Sequence, residues 1–447
     1  MLNKIIDDYL KENYYPFHMP GHKRSRLLNK NLGYSRDFTE IDGLDNLNDP
    51  RDVFVEMEIK IADIYDVKDA VISTNGSTSG ILATIRAISK NNKKILIQRS
   101  SHKAVYNACL INNLNVDYIN VKTNDLGAIV DISYENFEKS LINNDYGAFV
   151  ITSPSYEGYI PDIKKIYEIC KKHKIKLIID MAHGSHLFLT NQYKNTFDLA
   201  ITSFHKNLPA LTPAAAVLIN DESLIADVRK SMAIFQTSSP SYLILQSIDE
   251  IISNIDLLEK LNKNLEKNLD NFYQIKLENL EIIDDKNKDR SKILISTKNT
   301  SINGKELQDL LKNEKIEIEM AYPSYALLIA TIFDTDEAFK SLNQALKKID
   351  KNISKGQNSY KFTYKSPKKV YEIYETDLME KKDYMISESI GKVSGVFIYA
   401  YPPGIPILAP GELISADVID NINSLLANNI NVNINNERIS CIIDKNE

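Results

Sequence analysis

Ile178-Ile-Asp-Met-Ala-His183 and Thr202-Ser-Phe-His-Lys206 are the stretches on which the reading of this chain turns. The first continues the apolar run Lys176-Leu-Ile-Ile-Asp180 and the second closes Asp198-Leu-Ala-Ile-Thr-Ser203, about one strand–loop–strand excursion later. Outward from them the same pattern repeats. Apolar strand candidates stand at Asp69–Ser73, Lys94–Gln98, Val116–Asn120, Gly147–Thr152 and Ala214–Ile219. Helix-periodic stretches, Gly80–Lys90, Ser133–Asn144 and Asp162–His173, lie between several of them. Strand–helix alternation of this kind predicts an α/β fold with a mostly parallel sheet covered by helices on both faces. Ligands bind such sheets beyond the carboxyl ends of the strands. The chemically capable residues share that placement: Ser101 and His102, Ser153 to Tyr156, Asp180, and Ser203 to Lys206 each end or follow a strand run.

At 447 residues the chain is long enough for two or three folding units around a substantial core. Hydrophobic residues at 43 % and charged residues at 26 % are ordinary globular values. A net charge of −6 argues against a dedicated nucleic-acid binder. Cys109, Cys170 and Cys441 are odd in number and far apart, which supports neither a disulfide framework nor a cysteine zinc site and suits a reducing, cytoplasmic setting. No stretch has the unbroken apolar length of a membrane span or a signal peptide.

An acid and an amine at neighbouring strand ends can hold the two ends of one cofactor. Pyridoxal phosphate needs a lysine to bind its aldehyde covalently and an acid to keep its ring nitrogen protonated, which casts Lys206 and Asp180. Taken alone, each has a plain reading as a surface lysine or a turn-capping aspartate. Asn75-Gly-Ser-Thr-Ser-Gly80 opens a helix, where free backbone N–H groups and the hydroxyls of Ser77, Thr78 and Ser79 suit a phosphate monoester; a simple N-cap is the alternative. His102 follows a strand and can lie against an aromatic ring. His183 and His186 have the spacing of a metal pair, but no third ligand stands at a convincing distance, so no metal is expected.

The chain resembles a known family. Phe17-His-Met-Pro-Gly-His-Lys23, Thr39-Glu-Ile-Asp-Gly-Leu-Asp45, Asn75-Gly-Ser-Thr78, Arg99-Ser-Ser-His-Lys103, Thr152-Ser-Pro-Ser-Tyr-Glu-Gly158, Asp180-Met-Ala-His-Gly184, Ser203-Phe-His-Lys206, Leu208-Pro-Ala-Leu-Thr212, Gln236-Thr-Ser-Ser-Pro-Ser-Tyr242 and Tyr401-Pro-Pro-Gly-Ile-Pro406 occur in that order. Together they resemble the Orn/Lys/Arg decarboxylase family, in its shorter form without an N-terminal wing domain. The resemblance implies the aspartate-aminotransferase-like fold (fold type I), with a large pyridoxal-phosphate domain and smaller α+β C-terminal domains. It implies a cytoplasmic carboxy-lyase of polyamine biosynthesis that takes arginine, lysine or ornithine, binds no nucleic acid or membrane, and works as a homodimer or higher homo-oligomer. It matches Lys206 to the cofactor-bound lysine, Asp180 to the acid at the ring nitrogen and His102 to the ring-stacking histidine. Ser77, Thr78 or Ser79, and Ser203, match phosphate ligands; His183 joins the cofactor set, and His205 joins it as the histidine preceding the lysine. Met181, Phe204 and Pro213 depart from the family's commoner Glu, Thr and Gln, without removing a group the chemistry needs.

The expected division is an arm at 1–40, a cofactor-binding domain at 41–250, a linking helix and small α+β domain at 251–355, and a C-terminal decarboxylase domain at 356–447. Asp42, Asp45 and Glu157 are candidates for the substrate's distal cation, and Gln236–Tyr242 for reaching a partner subunit's phosphate. Another pyridoxal-phosphate enzyme of the same fold, such as an aminotransferase or lyase, stays open, as does a non-catalytic relative that binds the cofactor or a polyamine.

Overall fold

The computed structural model describes residues 1–12, 31, 33–142, 144–190, 192–356, 366–400 and 404–443. The motif Phe17–Lys23, and Tyr401 to Pro403 of the second proline motif, lie outside the described residues. The chain divides into two compact units: Met1–Lys90 with Ile163–Asn262, and Asn91–Asp162 with Lys263–Glu447.

In the first unit four strands stand in the order Asp69–Ser73, Ala215–Ile219, Leu199–Ser203, Lys176–Met181. The last two run parallel, with Ile178 beside Leu199 and Asp180 beside Ile201. Ala215–Ile219 runs antiparallel to both of its neighbours. Every residue of Leu199–Ser203 and of Ala215–Ile219 is buried. That two-sided burial is why these strands read as continuous apolar runs instead of alternating ones.

The helix Gly76–Ile88 packs against the Leu199–Ser203 and Ala215–Ile219 strands and against the helix Ile225–Phe235. Gly80 sets how closely it packs. A Cβ there would stand 2.9 Å from Ile201 Cγ2, closer than real Cβ contacts come, and 3.0 Å from Val217 Cγ2, tighter than nearly all of them. Arg229, on Ile225–Phe235, donates to both oxygens of Asp69 and to Glu58 Oε2 at 2.8 Å, pinning the helix Val53–Tyr65 and the first strand together. The long helical pattern beginning near Ser241 is broken in the structure. One helix, Tyr242–Ser253, ends and a second begins at Ile255. Asn254 makes the break: its side-chain amide donates to Glu250 O, and its own carbonyl accepts from Leu257 and Leu258.

In the second unit the strands Ala148–Thr152, Lys94–Gln98 and Asn115–Ile119 lie side by side, all parallel. The same unit carries a four-stranded antiparallel sheet, ordered Glu281–Ile283, Lys292–Ser296, Tyr325–Ile329, Met320–Tyr322. The helices Gly304–Asn313 and Asp336–Asn352 belong with it. Gly304–Asn313 starts on a capping box in which Asn303 and Glu306 each accept the other's backbone N–H. Farther on, Lys381–Met385 pairs with Arg438–Ile442, and the helix Ala416–Ala427 buries Val418, Ile419, Ile422 and Leu425 in the core of this unit.

Candidate active site

Asp180 is the penultimate residue of the Lys176–Met181 strand. Lys206 lies in the single-turn helix Phe204–Asn207, which directly follows the Leu199–Ser203 strand. Because those strands are parallel neighbours, acid and amine stand together at their carboxyl ends, where sheets of this kind bind ligands.

Lys206 Nζ is 2.9 Å from His183 Nε2. One nitrogen must donate and the other accept, so the contact joins either a free amine to a ring N–H or an ammonium to a bare ring nitrogen. It aims the amine and gives it a proton partner. Asp180 is buried at 3 % exposure. Burial pushes its pKa up, while the Lys206 charge and the Ala182 N–H, 3.2 Å from Oδ1, pull it down. A cationic ring N–H is the kind of partner that keeps such a buried acid ionised.

His205 Nδ1 is 2.9 Å from Ala214 O, which is a hydrogen bond only if Nδ1 carries the hydrogen. Nε2 then keeps its lone pair. Burial pushes the pKa of this imidazole down, the Ala214 carbonyl acts the other way, and the Lys206 charge adds to the depression. His205 is therefore a neutral base near neutrality.

At the opposite end of a bound cofactor would stand the N-terminus of Gly76–Ile88. Gly76 has φ +75°, a left-handed conformation that glycine adopts freely, and a Cβ on it would touch Pro213 Cβ at 3.4 Å. Ser77 is half-buried and Thr78 exposed. Ser79 is buried and already committed: its hydroxyl donates to Gly76 O at 3.0 Å and lies 2.8 Å from Ser73 Oγ. Ser203 Oγ differs from it. It is buried with no hydrogen-bond partner among the described residues. Such a hydroxyl is available to a ligand oxygen, and beside an open helix N-terminus it suits a phosphate group.

The loop before this helix is braced by residues to which the sequence reading assigned no such part. Gln236 Oε1 accepts from Thr74 N at 3.1 Å, and Asn75 Oδ1 accepts from Thr237 N at 3.3 Å. Nothing in the spacing of Gln236 announces that contact; the motif that contains it was the available signal.

His102 belongs to the second unit. It caps the helix Lys103–Ile111, its Nδ1 accepting from Ala104 N at 3.2 Å, which leaves the hydrogen on Nε2. Two of the candidates for the distal cation spend their carboxylates elsewhere. Asp45 accepts from the backbone of Asn46, Arg51, Asp52 and Phe54 at the start of Val53–Tyr65. Glu157 accepts from Tyr325 Oη at 2.9 Å and Ser155 Oγ at 3.2 Å, and burial pushes its pKa up. Asp42 is exposed. Among the described residues no group of three His, Cys, Asp or Glu could hold a metal, and no helix is long and apolar enough to cross a membrane.

The family model described as Orn/Lys/Arg decarboxylase, major domain, matches residues 2–315. The chain belongs to that family. It is accordingly a pyridoxal-phosphate-dependent carboxy-lyase acting on a basic amino acid. It is 27 % identical to an arginine decarboxylase of Halalkalibacterium halodurans, over 91 % of this chain and 89 % of that one. An arginine decarboxylase of Bacillus subtilis is 25 % identical, again over 91 % and 89 %. Among solved structures, the constitutive lysine decarboxylase of Escherichia coli superposes with a TM-score of 0.83 at 18 % identity, covering 99 % of this chain and 82 % of that one. That likeness gives the family's fold to nearly the whole chain, in agreement with the α/β reading of the sequence.

Proposed function

We propose that the chain decarboxylates arginine to agmatine and that Lys206, Asp180, His183, His205 and His102 carry the reaction. The observation that carries the assignment is the pairing of Asp180 and Lys206 at adjacent parallel strand ends, with the Lys206 amine held 2.9 Å from His183 Nε2. Arginine is favoured over lysine and ornithine because the relatives from H. halodurans and B. subtilis, matched along 89 % of their length, are arginine decarboxylases.

Pyridoxal phosphate, when bound, supplies the electron sink for the carbon that loses CO2. Lys206 holds the cofactor through its amine, and His183 keeps that amine directed and exchanges a proton with it at Nε2. Asp180 would accept a hydrogen bond from the protonated ring nitrogen and so keep it protonated; buried away from water, its charge acts strongly on that one partner. Ser203 Oγ, with Ser77, Thr78 and the backbone N–H groups of their helix, holds the phosphate. Ser79, its hydroxyl spent on Gly76 and Ser73, serves the shape of that loop. His205, neutral with an available Nε2, and Lys206 are the two groups able to return a proton to the carbon that CO2 leaves. His102 is fixed as a helix cap, and the family resemblance casts its ring as the one that stacks on the cofactor.

A cytoplasmic homodimer or higher homo-oligomer, feeding polyamine synthesis, completes the proposal. The three buried free thiols suit a reducing compartment. The test is to supply the purified protein and pyridoxal phosphate with arginine, lysine and ornithine separately and to identify the products. Agmatine with CO2 from arginine is expected. Cadaverine or putrescine as the main product would move the substrate, and an oxo acid without CO2 would reject decarboxylation.

A further inference from the structure

Arg99 and Glu412 form a buried ion pair in the second unit, at 2 % and 0 % side-chain exposure and 2.9 Å apart. Arg99 follows the strand Lys94–Gln98 and stands three residues before His102. Its guanidinium donates to Pro406 O at 2.8 Å, to Ile407 O at 3.1 Å, and to Tyr106 Oη at 2.8 Å. Tyr106 Oη returns a bond to Arg99 O at 2.6 Å. Glu412 Oε2 accepts from Ala409 N at 2.7 Å as well as from Arg99. One fork therefore ties the residue that follows the Lys94–Gln98 strand, the helix that His102 caps, and the segment leading out of the second proline motif. Around it the packing continues: the Tyr106 ring meets Phe397 edge-on at 5.9 Å, and Lys103 Nζ lies 5.0 Å from the centre of the Tyr399 ring.

Stability alone does not account for this pair. Burying two charges costs more than a well-packed apolar pair of the same size. Here Arg99 Nε and Glu412 Oε1 are additionally buried with no hydrogen-bond partner among the described residues. A costly, incompletely satisfied pair that joins three elements of one unit is better explained by the geometry it imposes.

We propose that Arg99 and Glu412 are positioning residues for His102, and that residues 406–412 act as the brace that fixes where its ring stands. The proposal rests on the assignment of His102 to the cofactor face. It also gives Pro406, the last residue of the second proline motif, a task that the reaction itself left unassigned.

The test is a double-mutant cycle on the holoenzyme, with parent, Glu412→Gln, His102→Ala and the double variant. Turnover of the amino acid and the visible circular dichroism of the bound cofactor are the readouts. Glu412→Gln is expected to lower kcat roughly tenfold with little change in KM, and to alter the dichroism in the direction that His102→Ala does. In the His102→Ala background the same change should cost less than about twofold, because the residue being positioned is gone. Equal losses in both backgrounds would overturn the proposal and leave the assignment of His102 standing. A His102→Ala enzyme with unaltered turnover and dichroism would overturn both. If Glu412→Gln does not fold, Tyr106→Phe, which removes the two bonds of that hydroxyl to Arg99 and leaves the ion pair in place, enters the same cycle: a loss confined to the background that retains His102 supports the proposal, and an equal loss or none overturns it.

Discussion

Replacing Gly80 with alanine puts a methyl group 2.9 Å from Ile201 Cγ2 and 3.0 Å from Val217 Cγ2. Both neighbours are β-branched, at most 1 % exposed, and anchored on central strands, so neither has a vacant rotamer to turn into. The helix Gly76–Ile88 must back away by a few tenths of an ångström. Overpacking of this kind costs about 1–3 kcal/mol, and the better helix propensity of alanine returns about 1 kcal/mol. The net expectation is a loss of about 1 kcal/mol. The movement separates the helix N-terminus from Ser203, whose strand is one of those the helix packs on. If the same 1 kcal/mol falls on the bound state as well, pyridoxal phosphate binds about fivefold more weakly. Denaturant unfolding of the apoprotein measures the first quantity, and titration of apoprotein with cofactor measures the second. A Gly80→Ala protein as stable as the parent, binding the cofactor as tightly, would refute the argument that this contact sets the height of the phosphate site.

Other consequences are open to measurement. Ser203→Ala removes a buried hydroxyl without a partner, so the apoprotein should be no less stable, while cofactor affinity should fall roughly tenfold or more through the lost bond to a charged group; unchanged affinity would take Ser203 out of the phosphate site. Asp180→Asn should keep the cofactor bound but lower turnover about a hundredfold or more, and turnover equal to the parent's would remove the acid from the mechanism. Burial raises the Glu58 pKa from its ordinary 4.5 to about 7, against the pull of Arg229 and the Ile72 N–H. Between those values the folded protein holds a proton that the unfolded chain has released, so this group's contribution to stability is complete below pH 4.5 and is lost as pH rises through 7. Glu58→Gln should flatten that decline when denaturant midpoints at pH 5 and pH 7.5 are compared; a slope equal to the parent's would show that Glu58 is ionised throughout.

Much of the site was legible because it is local. Asp180, Ser203 and Lys206 end or follow apolar runs, and in a sheet buried on both faces those runs can only be strands whose polar continuations reach the rim. Four things were not. Ser77, Thr78 and Ser79 look alike in sequence, and only the position of the Gly76 carbonyl shows that Ser79 is spent. Asn254 sits in an unbroken helical pattern, and its competing amide bond to Glu250 is a matter of conformation. Arg99 and Glu412 stand far apart along the chain, and hydrophobic periodicity reports the face a residue presents, never its distant partner. The antiparallel Ala215–Ile219 strand was likewise hidden, because an apolar run does not disclose its direction.

The covalent attachment point is the most direct test. The holoprotein is reduced with borohydride, digested, and its peptides are weighed. One pyridoxyl group is expected, on the peptide carrying Lys206, and no such label in Lys206→Ala. A label on a different lysine, or a reduced protein with none, would contradict it.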